Sequence, residues 1–349
     1  MNKNLKKAAL IAMSAVIATA SFTGCGKDDS KTAQTAKVTE TKAIAEADGI
    51  TIDSGLFNYY IYQAAVNNVY SADPTFSGDF SGINWDEKDE NGVKRGDKVK
   101  ELALKELLGK QLLNKLGTDN GVSISDEEKN QASDSVAQFL AQYGEEALNA
   151  NMAAMGLASS DDYLKLYELE TLSMKVEEDF EVNRDKYTSV NLEDYADPDK
   201  VCAQHILIQN ESEKTSDPKA TIDEVLARAR NGEEFTALMK EFNEDTAEPE
   251  SGYCFGKGEM VAEFENAAFA LGYNEISDVV KTEYGYHIIK RVAGIAELKN
   301  YLIQASEVKK FDDAIDGISV ADVLKSTEEA IEKVQEISAA AQTSNGADK

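Results

Sequence analysis

Histidine is almost absent from this chain: it has two in 349 residues, His205 and His287, standing 82 positions apart. Cysteine is nearly as scarce, with three. No pair of these residues has the short spacing of a zinc finger, so neither a metal ion nor another cofactor is expected. Long apolar runs are also missing. The uncharged stretch from Ala8 to Ala20 has 13 residues, whereas a membrane-spanning helix needs about 20. Positive charge is short too, with 36 Lys and Arg against 64 Asp and Glu, a net charge of −28. That balance argues against nucleic acid or anionic lipid headgroups as partners, and most of the acids are expected simply to solvate helix faces. With 42% hydrophobic and 29% charged residues, the chain fits a soluble globular protein of two or three domains.

Lys3, Lys6 and Lys7 ahead of the apolar run make the pattern of a secretory signal over residues 1–24. Phe22-Thr23-Gly24-Cys25 resembles the box that ends bacterial lipoprotein signals, with Phe where Leu is commoner. The resemblance implies that Cys25 becomes the lipidated first residue, tethering the protein to the extracytoplasmic face of the cell membrane. Cleavage near Ala20, leaving Cys25 a free thiol, is the alternative. Loss of residues 1–24 removes three lysines and no acids, lowering the charge from −28 to −31. Residues 25–43 then read as a polar, flexible tether. Cys202 and Cys254 remain; one disulfide or two buried thiols fit the sequence equally well.

Residues 44–196 carry helical periodicity. Leu56, Tyr59 and Tyr60 open one helix, and Val99, Leu102, Leu107, Leu113 and Leu116 stripe a second. Ser125 with Glu128 forms a capping box for a third, and a fourth runs from about Asp161. Breaks are expected near 117–125 and 156–160. Ser71 to Arg95 is an acidic, Gly-rich loop holding Trp85, whose aromatic residues are expected to seal a bundle edge. After a boundary near Thr188 to Lys200 the period changes. Val201 to Ile208 is strand-like, and Thr221 with Glu224 is expected to cap a helix. Phe235 to Phe242 and Phe264 to Leu271 follow as helices, with strands at Ile276 to Val280 and Tyr286 to Val292. This is an α+β order. Residues 294–341 turn helical again, with segments near Leu298 to Phe311 and Val320 to Ile337, and 342–349 is expected to be a disordered tail.

The segments Val201-Cys-Ala-Gln-His205-Ile-Leu-Ile, Met260-Val-Ala-Glu-Phe264 and Thr282-Glu-Tyr-Gly-Tyr-His287-Ile-Ile resemble the parvulin family of peptidyl-prolyl isomerases. The resemblance covers about Val201 to Val292, within an expected domain of residues 197–293, and implies a four-stranded antiparallel sheet with helices. It places Met260 and Phe264 as the apolar pair cradling proline, with Tyr253 in place of a leucine wall missing from a shortened 250–255 loop. It implies that His205 and His287 are hydrogen-bonded through their rings, that Asp245 occupies the position of a family Cys or Asp, and that Thr282 orients His287. Such a site needs no nucleophile. Rotation about an amide crosses about 18–20 kcal/mol, and a thousandfold acceleration needs only ~4 kcal/mol of preferential binding to the twisted form.

The order of signal, helical region, parvulin-like domain and returning helix resembles the PrsA-type foldase lipoproteins, and more distantly the SurA plan. That implies a multidomain protein in which N- and C-terminal helices form one chaperone domain with the isomerase inserted. It would be an enzyme acting on unfolded exported proteins with X-Pro bonds. A holdase with a weakly active or inactive parvulin domain is the alternative, and homodimerisation is left open.

Overall fold

The computed structural model describes residues 42–187 and 190–346. The signal, Cys25 and most of the tether lie outside the described residues. In chain order the described elements are β1 (Ala43–Ala47), β2 (Ile50–Asp53), α1 (Ser54–Ala72), α2 (Arg95–Asp119), α3 (Asp126–Ala154), α4 (Ser160–Val182) and β3 (Lys200–Gln209). Next come α5 (Pro218–Arg230), α6 (Phe235–Phe242), β4 (Tyr253–Gly256), α7 (Ala262–Ala270), β5 (Val280–Lys281) and β6 (Gly285–Val292). The chain ends with α8 (Ile295–Ala305), β7 (Lys309–Lys310), α9 (Asp312–Asp316) and α10 (Val320–Gly346).

Two compact units divide the chain, one holding residues up to Leu108, Ile124–Thr171 and those from Val308 onward, the other Gly109–Ser123 and Leu172–Glu307. The second is larger than the expected 197–293 insertion. It also has a core of Leu113, Val176, Phe180, Tyr187, Leu192 and Leu298, drawn from the ends of α2 and α4 and from α8. The break expected near 117–125 falls between Asp119 and Asp126, and Gly117 itself lies in the last turn of α2. Any Cβ there would collide with Val176, so the glycine permits close helix approach.

In the first unit β1 and β2 pair through Asp48 (φ 48°) and Gly49 (φ 80°). Two consecutive left-handed residues suit a two-residue hairpin turn. β7 pairs on the other edge of β1, so the segment expected as one helix from Leu298 to Phe311 breaks at Ala305 and ends in a strand. Asp53 caps α1 by accepting the Gly55 N–H, and the Ser125–Glu128 capping box is formed at α3. Gly144 interrupts α3 with φ 79°. α10 packs along α3 and α1, and its helix continues to Gly346, further than expected. Phe80 is buried among Tyr62, Phe76 and Trp85, the sealing role expected of that loop.

In the second unit the sheet order is β4-β3-β6-β5, antiparallel throughout. Alternation along β3 sends Ile206 and Ile208 to α5 and α6, with Ile222, Val225, Phe235 and Leu238. Val201, Ala203 and His205 point the other way, where Phe255, Phe264, Ala268 and Ile289 form a second layer under α7. Helix α5 starts a turn earlier than expected. Asp217 Oδ1 accepts the Ala220 N–H and Pro218 occupies the first turn, while Thr221 Oγ1 bonds back to the Asp217 carbonyl. The strand expected at Ile276 to Val280 shrinks to a single Ile276–Lys290 bridge and then β5. Ser277 is the cause: its hydroxyl, rather than a main-chain carbonyl, accepts the Ile289 N–H at 2.9 Å.

Candidate functional site

His205 on β3 stands opposite Ile289, and His287 on β6 opposite Leu207, so the histidines are diagonal neighbours on one face of the sheet. Both are buried, with ring centroids 5.4 Å apart. The expected hydrogen bond between the rings is not formed. His287 Nε2 instead meets Thr282 Oγ1 at 2.8 Å. That hydroxyl also accepts the Tyr284 N–H, so the loop after β5 holds it against the ring. Burial, helped by the neighbouring His205, lowers the His287 pKa to about 4. His287 is therefore neutral at ordinary pH.

Phe264, in the first turn of α7, meets His205 edge-on at 5.2 Å and His287 at 5.5 Å. Met260, just before that helix, packs against the same layer and stays partly exposed. Tyr253 stacks over His205 at 6.1 Å between centroids and 27° between planes. Its hydroxyl donates to Asp245 Oδ2 at 3.2 Å, and the same oxygen is 3.6 Å from His205 Nε2. Burial first, then the charge of Asp245, raises the Tyr253 pKa, so the phenol keeps its proton. Asp245 Oδ1 turns the loop by accepting the Ala247 N–H. The structure thus brings together His205, His287, Thr282, Asp245, Tyr253, Met260 and Phe264. Only Cys25 lies outside the described residues.

Sequence reading missed the groups that hold this arrangement. β4 pairs with β3 only as far as Ala203. Beyond it, the N–H groups of His205, Leu207 and Gln209 donate to Glu248 Oε1 (2.9 Å), Asn243 Oδ1 (2.9 Å) and Glu244 Oε2 (2.7 Å). Side chains of the 243–250 loop take the place of a neighbouring strand, and that loop carries Asp245. The Glu248 side chain is fully buried, bonded to Asn243 Nδ2 at 2.6 Å. It lies 3.2 Å from His205 Nδ1 but out of hydrogen-bond alignment with it. Gly252 closes the loop at φ +82°, where a Cβ would overlap the Ala203 carbonyl. Only their position in a polar loop marked these residues in the sequence, and that says nothing of what they bond.

The site thus sets the apolar side chains of Met260, Phe264 and Tyr253 beside the polar groups of His205, His287, Thr282 and Asp245. Among the described residues no cluster of three or more His, Cys, Asp or Glu could hold a metal ion.

Residues 187–293 match the PPIC-type PPIASE domain family. The chain is 30% identical over 290 residues to the foldase protein PrsA of Caldanaerobacter subterraneus subsp. tengcongensis, covering 73% of this chain and 83% of that one. The chain belongs to the PrsA foldase family. It is a peptidyl-prolyl cis-trans isomerase of the parvulin type. A second PrsA foldase, from Geobacillus kaustophilus, is 43% identical over 110 residues, 30% of this chain and 36% of its own length. The crystal structure of PrsA from Bacillus subtilis matches 72% of this chain and 93% of that one at 26% identity, with a TM-score of 0.25.

Proposed function

We propose that this PrsA-family isomerase works outside the cytoplasm, anchored through lipid on Cys25, and speeds X-Pro isomerisation in exported client proteins. Met260, Phe264 and Tyr253 receive the proline ring. His205, His287, Thr282 and Asp245 form the polar side against which the twisted amide is favoured. The observation that carries the reading is the convergence of these seven side chains around a buried histidine pair. No proton needs to move, so the histidines act by shape and dipole, and a neutral His287 suits that role. The Cys202–Cys254 disulfide supports an oxidising compartment, where such bonds persist. Among the described residues no helix is long and apolar enough to cross a membrane, and a lipid on Cys25 would supply attachment.

The test is the cis-to-trans rate of a short X-Pro peptide at low temperature, with wild type beside Met260→Ala/Phe264→Ala and far-UV circular dichroism confirming the fold. Wild-type acceleration lost in the variant supports the pocket; equal acceleration by both sinks it. No acceleration by folded wild type would leave a holdase. For the anchor, Cys25→Ser should move the protein from the membrane fraction to the soluble fraction, and retention in the membrane would refute the lipid.

A further inference from the structure

Cys202 and Cys254 face each other across the β3–β4 register and are joined as a disulfide. They differ in access: Cys254 is exposed at the edge of the sheet and Cys202 is buried. The residues flanking Cys254 are Tyr253, which stacks over His205, and Phe255, whose ring is 5.8 Å from that of Phe264. β4 is an edge strand of four residues, paired on one side only. The disulfide is therefore the one covalent tie on a short strand that carries a pocket residue, Tyr253, and the buried ring packed behind Phe264.

A buried carboxylate stands beside the buried sulfur. Glu297, in the first turn of α8, is 4% exposed, and its Oε2 has no hydrogen-bond partner. A Cβ placed on Gly294 would lie 2.5 Å from Glu297 Oε2 and 2.5 Å from Cys202 Sγ, so the two atoms are at most twice that distance apart. Burial first, then the charge of the nearby Glu297 and a weak hydrogen-bonding interaction with it, raises the pKa of Tyr273, whose Oη nonetheless falls outside good hydrogen-bond geometry. The oxidised sulfur has no proton to offer Glu297. A reduced Cys202 thiol would have one.

We propose that the Cys202–Cys254 disulfide is a dithiol-operated latch on the isomerase pocket, with Glu297 the acceptor that favours its open form. A thiolate of the dithiol attacks the exposed Cys254 sulfur. The Cys202–Cys254 bond breaks, and its electron pair leaves on Cys202, which takes up a proton and can donate to Glu297 Oε2. The second thiolate of the dithiol then attacks its own sulfur in the mixed disulfide, releasing Cys254 as a thiolate and closing the reductant's disulfide. Two electrons pass to the protein and none are left over. With the tie gone, β4 keeps only its short ladder, and Tyr253 and Phe255 lose their fixed positions against His205 and Phe264. The latch rests on the pocket reading above, since it acts through Tyr253.

The experiment uses the full chain with Cys25→Ser, leaving two cysteines to report. Samples are poised in mixtures of reduced and oxidised dithiothreitol. The reduced fraction is read by maleimide mass shift, and the X-Pro isomerisation rate is measured on the same samples. The expected result is a fall of at least about tenfold in rate as the disulfide opens, since a 1 Å misplacement of a positioning group can cost about a hundredfold. Cys202→Ala/Cys254→Ala should match the reduced rate and ignore dithiothreitol. Full activity in both thiol states would overturn the latch and leave the pocket standing; an inactive oxidised protein would overturn the pocket and the latch with it. Glu297→Leu should make the disulfide about tenfold harder to reduce, the scale of one buried hydrogen bond. Glu297→Gln, which keeps an acceptor, should lie between. An unchanged thiol equilibrium in both variants removes Glu297 from the proposal.

Discussion

Lowering the pH should cost this protein stability through His287 in a window the structure defines. Its ring is buried against Phe264 and His205, which lowers its pKa from the ordinary 6.5 to about 4. Between those values the unfolded chain binds a proton that the folded protein refuses, so stability falls as the pH drops below 6.5 and levels off below about 4. At 1.36 kcal/mol per pKa unit, the full interval is worth about 3 kcal/mol. Other groups titrate in the same range, so the informative quantity is a difference. Urea unfolding followed by far-UV circular dichroism, at steps between pH 7 and 4.5, should show wild type losing about 2 kcal/mol more than His287→Gln, whose amide cannot take up the proton. Nuclear magnetic resonance of the His287 ring should place its folded pKa well below 6. Parallel stability curves, or a ring titrating at its ordinary value, would refute the account of a desolvated, neutral histidine.

Met260→Ala should abolish most isomerase acceleration while changing stability by less than about 1 kcal/mol, because the side chain is partly exposed. Phe264→Ala removes a buried ring and should cost about 3–5 kcal/mol, so urea midpoints separate the two effects. Glu248→Ala should destabilise by about 1–3 kcal/mol by stranding the His205 N–H in a buried site. Glu248→Gln, which keeps an oxygen there, should recover most of that loss, and equal losses in both would deny the acceptor role. Gly252→Ala should cost at least ~1–2 kcal/mol from its left-handed backbone alone, with more from overlap with Ala203, measurable as a lowered melting temperature.

Side chains that act through periodicity or local chemistry were legible before any coordinates. The Ser125–Glu128 box and the strand-like run from Val201 to Ile208 follow from patterns a few residues long, whereas the four-stranded sheet followed from the resemblance to parvulins and its β4-β3-β6-β5 order is seen only in the fold. Contacts between distant segments were not legible. Gly117 reads as the start of a break until Val176 is seen against it, and Ser277 reads as a strand residue until its hydroxyl takes a ladder bond. The disulfide was undecidable because spacing does not show that positions 202 and 254 face each other. Glu248 and Asn243 escaped for a related reason: in the sequence they are polar loop residues, and their function depends on which N–H groups they meet.

Those N–H groups have a further consequence for a protein of the PrsA foldase family. A strand with a free row of donors is an adhesive edge, and an extended polypeptide is well suited to add itself there. Past Ala203, β3 would offer such an edge beside the pocket. Glu248, Asn243 and Glu244 occupy the donors one by one, and two of the three are carboxylates, so no continuous rail of main-chain partners is left for a client to zip onto. A client segment can meet the pocket through its side chains and leave again, without becoming a fifth strand of the enzyme that turned it over.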